Sequence, residues 1–453
     1  MSSSESVETV VNEVPPQAEV FPGASPAAPQ RERPVRERPA HSDRQAEIAL
    51  FRDVSAARAF VHEPDLYIPR AEFLAFSPPS IGEEEVAEVV DTLRSDWLTT
   101  GPKTQRFERD FARYVGARQA LALNSCTAGL HTALVALGIG PGDEVITTTM
   151  TFAATVNVIE HVGARPVLVD VEPDTLNIDP RRVEEAITRR TRAVMVVHYA
   201  GHPADMDAIE ELAAAHGFAV IEDAAHAIPA RYKGRMIGSG ANPTAFSFYA
   251  TKNLTTGEGG MLTGNAEFVE RARPISLHGM TRDALRRYEK GGSWRYEIEA
   301  PGFKYNMTDI QAAMGLCQLR KLEHFDQQRR DVVAAYNGAF SDEPALEIPV
   351  ERAEVYHAWH LYVLRLHPEM LTIGRDQFID ELTERNIGTS VHFIPVHTHP
   401  YYRDRYGFGS TDFPVAYSNF ERMLSIPLNP RLTAAAVDDV ISAVLDVVDT
   451  HRR

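Results

Sequence analysis

The sequence predicts an α/β protein built on a mostly parallel sheet, and three observations carry that prediction. Between residues 120 and 248, short β-rich runs alternate with helical stretches. The runs are almost continuously apolar, as strands are when helices cover both faces of their sheet. The polar residues of greatest chemical interest, Ser125, Asp223 and the loop after Phe248, fall where these runs end. Ligands of such sheets sit at the carboxyl ends of the strands.

Taken in order, residues 1–42 are rich in Pro, Glu, Ser and Arg and include QRERPVRERPA. That composition cannot bury enough apolar surface to offset ordering entropy, so a disordered tail is expected. An N-terminal extension covers 43–73, with a short helix carrying Ile48, Phe51 and Val54 before Pro64. A large domain is expected over 74–335. It opens with SPPSIGEEEVAEVVDTLR, where acids fill the first turn and Val86, Val89, Val90 and Leu93 recur at helical spacing. Strands are expected at 120–125, 144–149, 165–171, 193–199, 218–223 and 244–248. Helices are expected near 127–138, 152–163, 180–189 and 204–216. A long amphipathic helix follows Met307, with Ile310, Ala313, Met314, Cys317 and Leu322 on one face. A smaller α+β domain is expected over 336–453, with a strand at 360–366, a helix at 375–386, the loop VHFIPVHTHPYYRDRYGF and a last helix from 434.

The chain has 453 residues, 44% hydrophobic and 24% charged, ordinary for a globular protein with a large core. Its formal net charge of −17 argues against nucleic acid or an anionic membrane as the main partner, since both select basic surfaces. No apolar run reaches bilayer length, and the first residues lack the basic start and apolar core of a signal peptide. Two cysteines, Cys126 and Cys317, give neither a disulfide framework nor a metal pair. A cytoplasmic protein is expected.

The stretch FSFYATKNLTTGEGG, Phe246–Gly260, delivers one lysine, Lys252, from a strand end into a loop of small and hydroxyl residues. An ordinary lysine is almost fully protonated at pH 7, and making it nucleophilic requires a shift of roughly 3 units or a resting imine. LNSCTAGLHTALVAL (123–137) runs from strand through turn into helix, and helix N-termini with Ser and Thr hydroxyls bind anions. VIEDAAHA (220–227) ends a buried strand in Glu222 and Asp223, with His226 three residues on. A carboxylate at such a place needs a hydrogen-bonded or cationic partner, either an amide or Arg, or a protonated ring nitrogen. A phosphate anchor, an acid for a pyridinium and an imine-forming lysine are the parts that pyridoxal phosphate requires. The histidines His357, His360, His392, His397 and His399 match no zinc spacing, so no metal is expected.

The chain from about 74 to 450 resembles the DegT/StrS-type nucleotide-sugar aminotransferases of the aspartate aminotransferase superfamily. WLTTGPKTQRFE (97–108), MTFAATVN (150–157), VIEDAAHA, ATKNLTTGEGGML (250–262) and GFKYNMTDIQAA (302–313) carry the resemblance. It implies a fold type I transferase that uses pyridoxal 5'-phosphate, with Lys252 as the imine-forming lysine, Asp223 facing the pyridine nitrogen and His226 near the phenolic oxygen. It further implies phosphate contacts from Ser247, Cys126 and Thr127, and a stacking role for Phe152. Lys304 stands where some relatives carry an Asn that reaches the neighbouring subunit's phosphate, and Asn306 is a substitute for it, so a homodimer with composite sites is implied. Lys252 separates the chain from dehydratases of the family, which carry His there; regulatory homologues are the other alternative. The implied reaction moves an amino group from glutamate or glutamine to a nucleotide-linked keto-sugar, at C4 of a UDP- or dTDP-linked 4-keto-hexose, with a keto-cyclitol as the rival acceptor. Arg403, Arg405 and the Arg282, Arg286, Arg287 group are the candidate cations for a sugar diphosphate.

Overall fold

Seven strands form the central sheet of the computed structural model, which describes residues 68–280 and 296–453. The expected tail, the helix near Phe51 and the Arg282, Arg286, Arg287 group lie outside the described residues, and all described residues belong to a single compact unit. In chain order the strands are β1 (Gln119–Leu123), β2 (Glu144–Thr148), β3 (Arg165–Val169), β4 (Thr191–Val197), β5 (Ala219–Asp223), a small hairpin of β6 (Arg231–Tyr232) and β7 (Arg235–Met236), then β8 (Thr244–Ser247) and β9 (Gly260–Gly264). The sheet order is β1-β9-β8-β5-β4-β2-β3. Strands β3, β2, β4, β5 and β8 run parallel, while β9 pairs antiparallel with both β1 and β8.

The expected strands fall within two residues of the observed ones, and the expected helices correspond to Cys126–Ala136, Ala153–His161, Pro180–Ala186 and Met206–His216. β2 and β4 are buried almost throughout, which explains their lack of alternation. The sheet's core holds Ile146, Val194, Val196, Phe246 and Phe248 on one side and Leu123, Val145, Met195 and Leu262 on the other.

Two expectations need correction. The helix Glu83–Arg94 does not bury its valine stripe: Glu85 and Thr92 face inward, while Val86 is 50% and Leu93 56% exposed. Glu85 is held by Lys321 Nζ at 2.8 Å, Gln318 Nε2 at 2.9 Å and the Gly82 amide at 2.8 Å, so its charge is satisfied inside. The long helix Asp309–Phe340 inserts Ala312, Ala313, Leu316, Cys317 and Leu322, leaving Ile310 and Met314 only half-buried.

That helix continues without a break past 335. Its first half packs in the core of the large sheet, and Val332, Val333, Tyr336 and Phe340 enter a second core. There β10 (Leu346–Glu347), β12 (Tyr362–Leu366) and β13 (Met423–Ile426) form an antiparallel sheet covered by the helices Arg375–Glu384 and Ala434–His451. A third small sheet joins β11 (Val355–Tyr356) to the β6–β7 hairpin. Among the described residues no helix is long and apolar enough to cross a membrane.

Candidate active site

The carboxyl ends of β5 and β8 carry Asp223 and Ser247, and the loop leaving β8 carries Lys252. Asparagine fixes that loop. Asn253 Nδ2 donates to the carbonyls of Ile228 at 2.9 Å and Ala358 at 2.8 Å, while its Oδ1 meets His360 Nδ1 at 3.1 Å. The Lys252 amine is partly buried, and burial pushes its pKa down to about 8 against the opposing pull of Cys126 and Asp223. It is the depressed amine that nucleophilic chemistry near neutrality needs.

Asp223 is 6% exposed. Its Oδ2 accepts from Thr155 Oγ1 at 2.8 Å, and its Oδ1 from the Ala225 amide at 3.1 Å and more weakly from Cys126 Sγ at 3.8 Å. Burial raises its pKa; the Thr155 hydroxyl, the Ala225 amide and then the charges of Lys252 and His198 oppose that rise. His226 stacks on Phe393 with centroids 5.6 Å apart and leans on His360 at 4.3 Å. Its Nδ1 is buried without a hydrogen-bond partner, and burial, followed by the charge of Lys252, holds the ring neutral. His392, also beside the lysine, is pushed down to about 4 by burial and then by Lys252, with Nδ1 2.9 Å from Ser425 Oγ.

The helix Cys126–Ala136 starts at the end of β1. Ser125 caps it, accepting from the Ala128 amide at 3.0 Å, which leaves the amides of Cys126 and Thr127 as first-turn donors without helical partners. Gly260 in β9 makes this turn possible: a Cβ there would stand 2.4 Å from the Ser125 carbonyl carbon and 2.6 Å from the Cys126 nitrogen. The Cys126 thiol is pushed well above its ordinary range by burial and then by Asp223, which makes it a packing group. Phe152 caps the next helix and is 64% exposed, with its ring 6.0 Å from Phe393.

Asn306 lies at the edge of this region, bridged to Leu123, with its amide donating to Thr100 Oγ1 at 2.7 Å. Arg405 is elsewhere. It pairs with Glu160 at 3.2 Å and lines a cleft of about 550 Å³ with Glu144, Arg165, Arg190 and Tyr406, at the amino-terminal edge of the sheet. Arg403 pairs with Asp404 at 2.9 Å. Arg405 therefore stands at the opposite edge of the sheet from the loop that carries Lys252 in its own chain. Sequence reasoning missed Thr155, Asn253, His360 and Phe393; Thr155 stands in the MTFAATVN motif, three residues after Phe152, and could have been found there.

The fold thus gathers a depressed amine, a buried carboxylate, an imidazole with an orphaned nitrogen, an exposed aromatic ring and a helix N-terminus opened by a close-packed glycine. These parts fit pyridoxal phosphate, and no group of metal-ligating residues is found among the described residues. The family and the structural neighbours make this a pyridoxal-phosphate-dependent sugar aminotransferase. The chain belongs to the DegT/DnrJ/EryC1/StrS aminotransferase family, whose model matches residues 79–445. It is 53% identical over 381 residues to the spore coat polysaccharide biosynthesis protein SpsC of Bacillus subtilis, covering 84% of this chain and 98% of that protein. The putative sugar aminotransferase Spr1654 of Streptococcus pneumoniae, solved in a PLP form, superposes with a TM-score of 0.78 at 37% identity, covering 83% of this chain and 99% of its own. PseC of Helicobacter pylori, an aminotransferase involved in the biosynthesis of pseudoaminic acid, superposes with a TM-score of 0.77 at 27% identity over 84% of this chain and all of its own (100%).

Proposed function

We infer that this chain aminates a nucleotide-linked keto-sugar at C4 of a UDP- or dTDP-linked 4-keto-hexose, with glutamate or glutamine as the donor. The observation that supports amino transfer most directly is Lys252, its amine depressed beside the buried carboxylate of Asp223. When bound, pyridoxal phosphate supplies a carbonyl for amine exchange and a ring that draws electrons from the donor's α-carbon. Lys252 Nζ would hold the cofactor and would serve as the base for the proton on the donor's α-carbon. Asp223 keeps a proton on the ring nitrogen, and the neutral His226 stands by the phenolic oxygen. Ser247 and the first-turn amides of Cys126 and Thr127 would hold the phosphate, with Asn306 a donor to the phosphate of the neighbouring subunit. Phe152 covers one face of the ring and excludes water from it.

The protein would act in the cytoplasm, a compartment that suits two free cysteines. It would act as a homodimer; Val86 and Leu93, exposed and one heptad apart on the helix Glu83–Arg94, are apolar surface that a second copy would cover. A fully active monomer in light scattering would exclude this.

The rival acceptor is an uncharged keto-cyclitol, and one observation favours keeping it: Arg405 is paired with Glu160 at the amino-terminal edge of the sheet. Incubation with donor and each ketone separates the two. A sugar diphosphate should be aminated, with affinity falling as salt rises; amination of the cyclitol alone would refute the nucleotide-sugar reading and leave amino transfer intact.

A further inference from the structure

A chain of hydroxyls ends on Asp223. Thr155 Oγ1 lies 2.8 Å from Asp223 Oδ2 and 2.7 Å from Thr151 Oγ1, and all three residues are buried. A hydroxyl has a single proton to give. Thr155 gives its proton to the carboxylate, so the bond between the threonines must run from Thr151 to Thr155. Both O–H groups then point toward Asp223, and each strengthens the next in a medium of low dielectric.

The direction of the Thr155 side chain is itself informative. A threonine inside a helix commonly returns its hydroxyl to a carbonyl of the preceding turn. Thr155, in the first turn of Ala153–His161, instead bonds a residue 68 positions further along the chain. Among the described residues the hydrogen-bond donors to the Asp223 carboxylate are all neutral, the Thr155 hydroxyl, the Ala225 amide and the Cys126 thiol. Its second oxygen has, among the described residues, only the Ala225 amide at a normal hydrogen-bond length. The Thr155 hydroxyl is therefore the shortest contact holding that carboxylate in one rotamer.

We propose that Thr155, backed by Thr151, is a positioning residue for the amino-transfer reaction: it fixes the Asp223 carboxylate in place and in its ionised form, and so governs how firmly the cofactor's ring nitrogen keeps its proton. This rests on the assignment of Asp223 to that nitrogen.

The test uses the full chain with Thr155→Val, Thr155→Ser and Asp223→Asn. Circular dichroism checks folding, equilibrium dialysis gives the affinity of the apoprotein for pyridoxal phosphate, and the ¹⁵N chemical shift of ring-labelled cofactor reports the proton. Thr155→Val should bind about tenfold more weakly, the size expected of one charge-assisted hydrogen bond, with the ring nitrogen displaced toward its neutral shift. Thr155→Ser should recover both within about threefold. Affinity within twofold of the parent together with an unmoved ¹⁵N signal in Thr155→Val overturns the proposal, as does a serine variant no better than valine, which would reduce the role to methyl packing. Asp223→Asn tells the two readings apart. If it shifts the nitrogen while Thr155→Val does not, only the threonine role falls; if it leaves the nitrogen protonated, the assignment of Asp223 falls with it. Should Thr155→Val fail to fold, Thr151→Val removes the donor behind Thr155 and should move the signal the same way by less; an unmoved signal there overturns the proposal equally.

Discussion

Stripped of cofactor, the protein should carry one lysine that titrates far from all others. Burial brings Lys252 from 10.5 down to about 8. At pH 8 about half of its amines are then neutral, against roughly 0.3% for an ordinary lysine, a roughly 150-fold excess of the reactive form. Limiting acylating reagent, added to apoprotein across pH 7–10 and followed by peptide mapping, should label Lys252 first, with a rate that levels off above pH 8. The same shift has a thermodynamic consequence of definite sign. Between pH 8 and 10.5 the unfolded chain holds the lysine proton and the folded chain does not, so stability rises as pH rises through that window. Lys252→Met should remove this slope. A labelling rate on Lys252 that still climbs beyond pH 10, or a variant with an unchanged stability profile, would refute the reasoning.

Borohydride treatment of the loaded enzyme should fix the cofactor on Lys252, and mapping that finds it on another lysine would remove the central assignment. Lys252→Ala should abolish turnover while still binding pyridoxal phosphate, because the Asp223 and phosphate contacts persist. Gly260→Ala would push a methyl to 2.4 Å from the Ser125 backbone, so cofactor affinity should drop at least about tenfold with the fold retained; unchanged affinity would mean that the helix N-terminus does not hold the phosphate. Asp309 accepts from the amides of Gly101, Lys103 and Thr104 and from the Thr104 hydroxyl, so Asp309→Ala should cost about 3 kcal/mol, read as a lowered urea midpoint. A loss below about 1 kcal/mol would show that water replaces the carboxylate.

The strands around the site were legible where the signal is local. β5 and β8 are apolar runs ending in a charged or polar group, and their lengths could be read from residues 218–223 and 244–248. β9 was not, because GMLTG begins and ends in glycine and reads as a turn. Its reason for glycine is non-local: Gly260 lies against Ser125, in contact only once β9 has inserted between β1 and β8. The helix Pro102–Val115 was missed for a similar cause. Gly101 caps it without a side-chain bond, and the acceptor for its first-turn groups is Asp309, 205 residues away from Thr104. The buried Glu85 shows the limit of periodicity, since a valine stripe predicts the inner face only when no partner such as Lys321 is waiting for the acid.

The same distinction runs through the site. Lys252 and Asp223 are legible as candidates because each follows an apolar run, Asp223 at the end of β5 and Lys252 in the loop after β8. Thr155, one hydroxyl among many, acquires meaning only from the carboxylate opposite it. The segments that close over the lysine are remoter still. The Ala358 amide donates to Gly201, the His360 amide to Ala200 and the Val396 amide to Thr149, so two stretches far along the chain dock onto the carboxyl edge of the large sheet. They bring His360, His392 and Phe393 against His226. All three imidazoles are held neutral by burial first; the lysine's charge comes next for His226 and His392, and after the charge of His226 for His360. Polar rings without charge are the surroundings a nucleophilic amine requires: they exclude water, which lowers the amine's pKa, and they offer no anion that would pull it back up. The C-terminal segments therefore contribute to the reactivity of Lys252 through the medium they create around it.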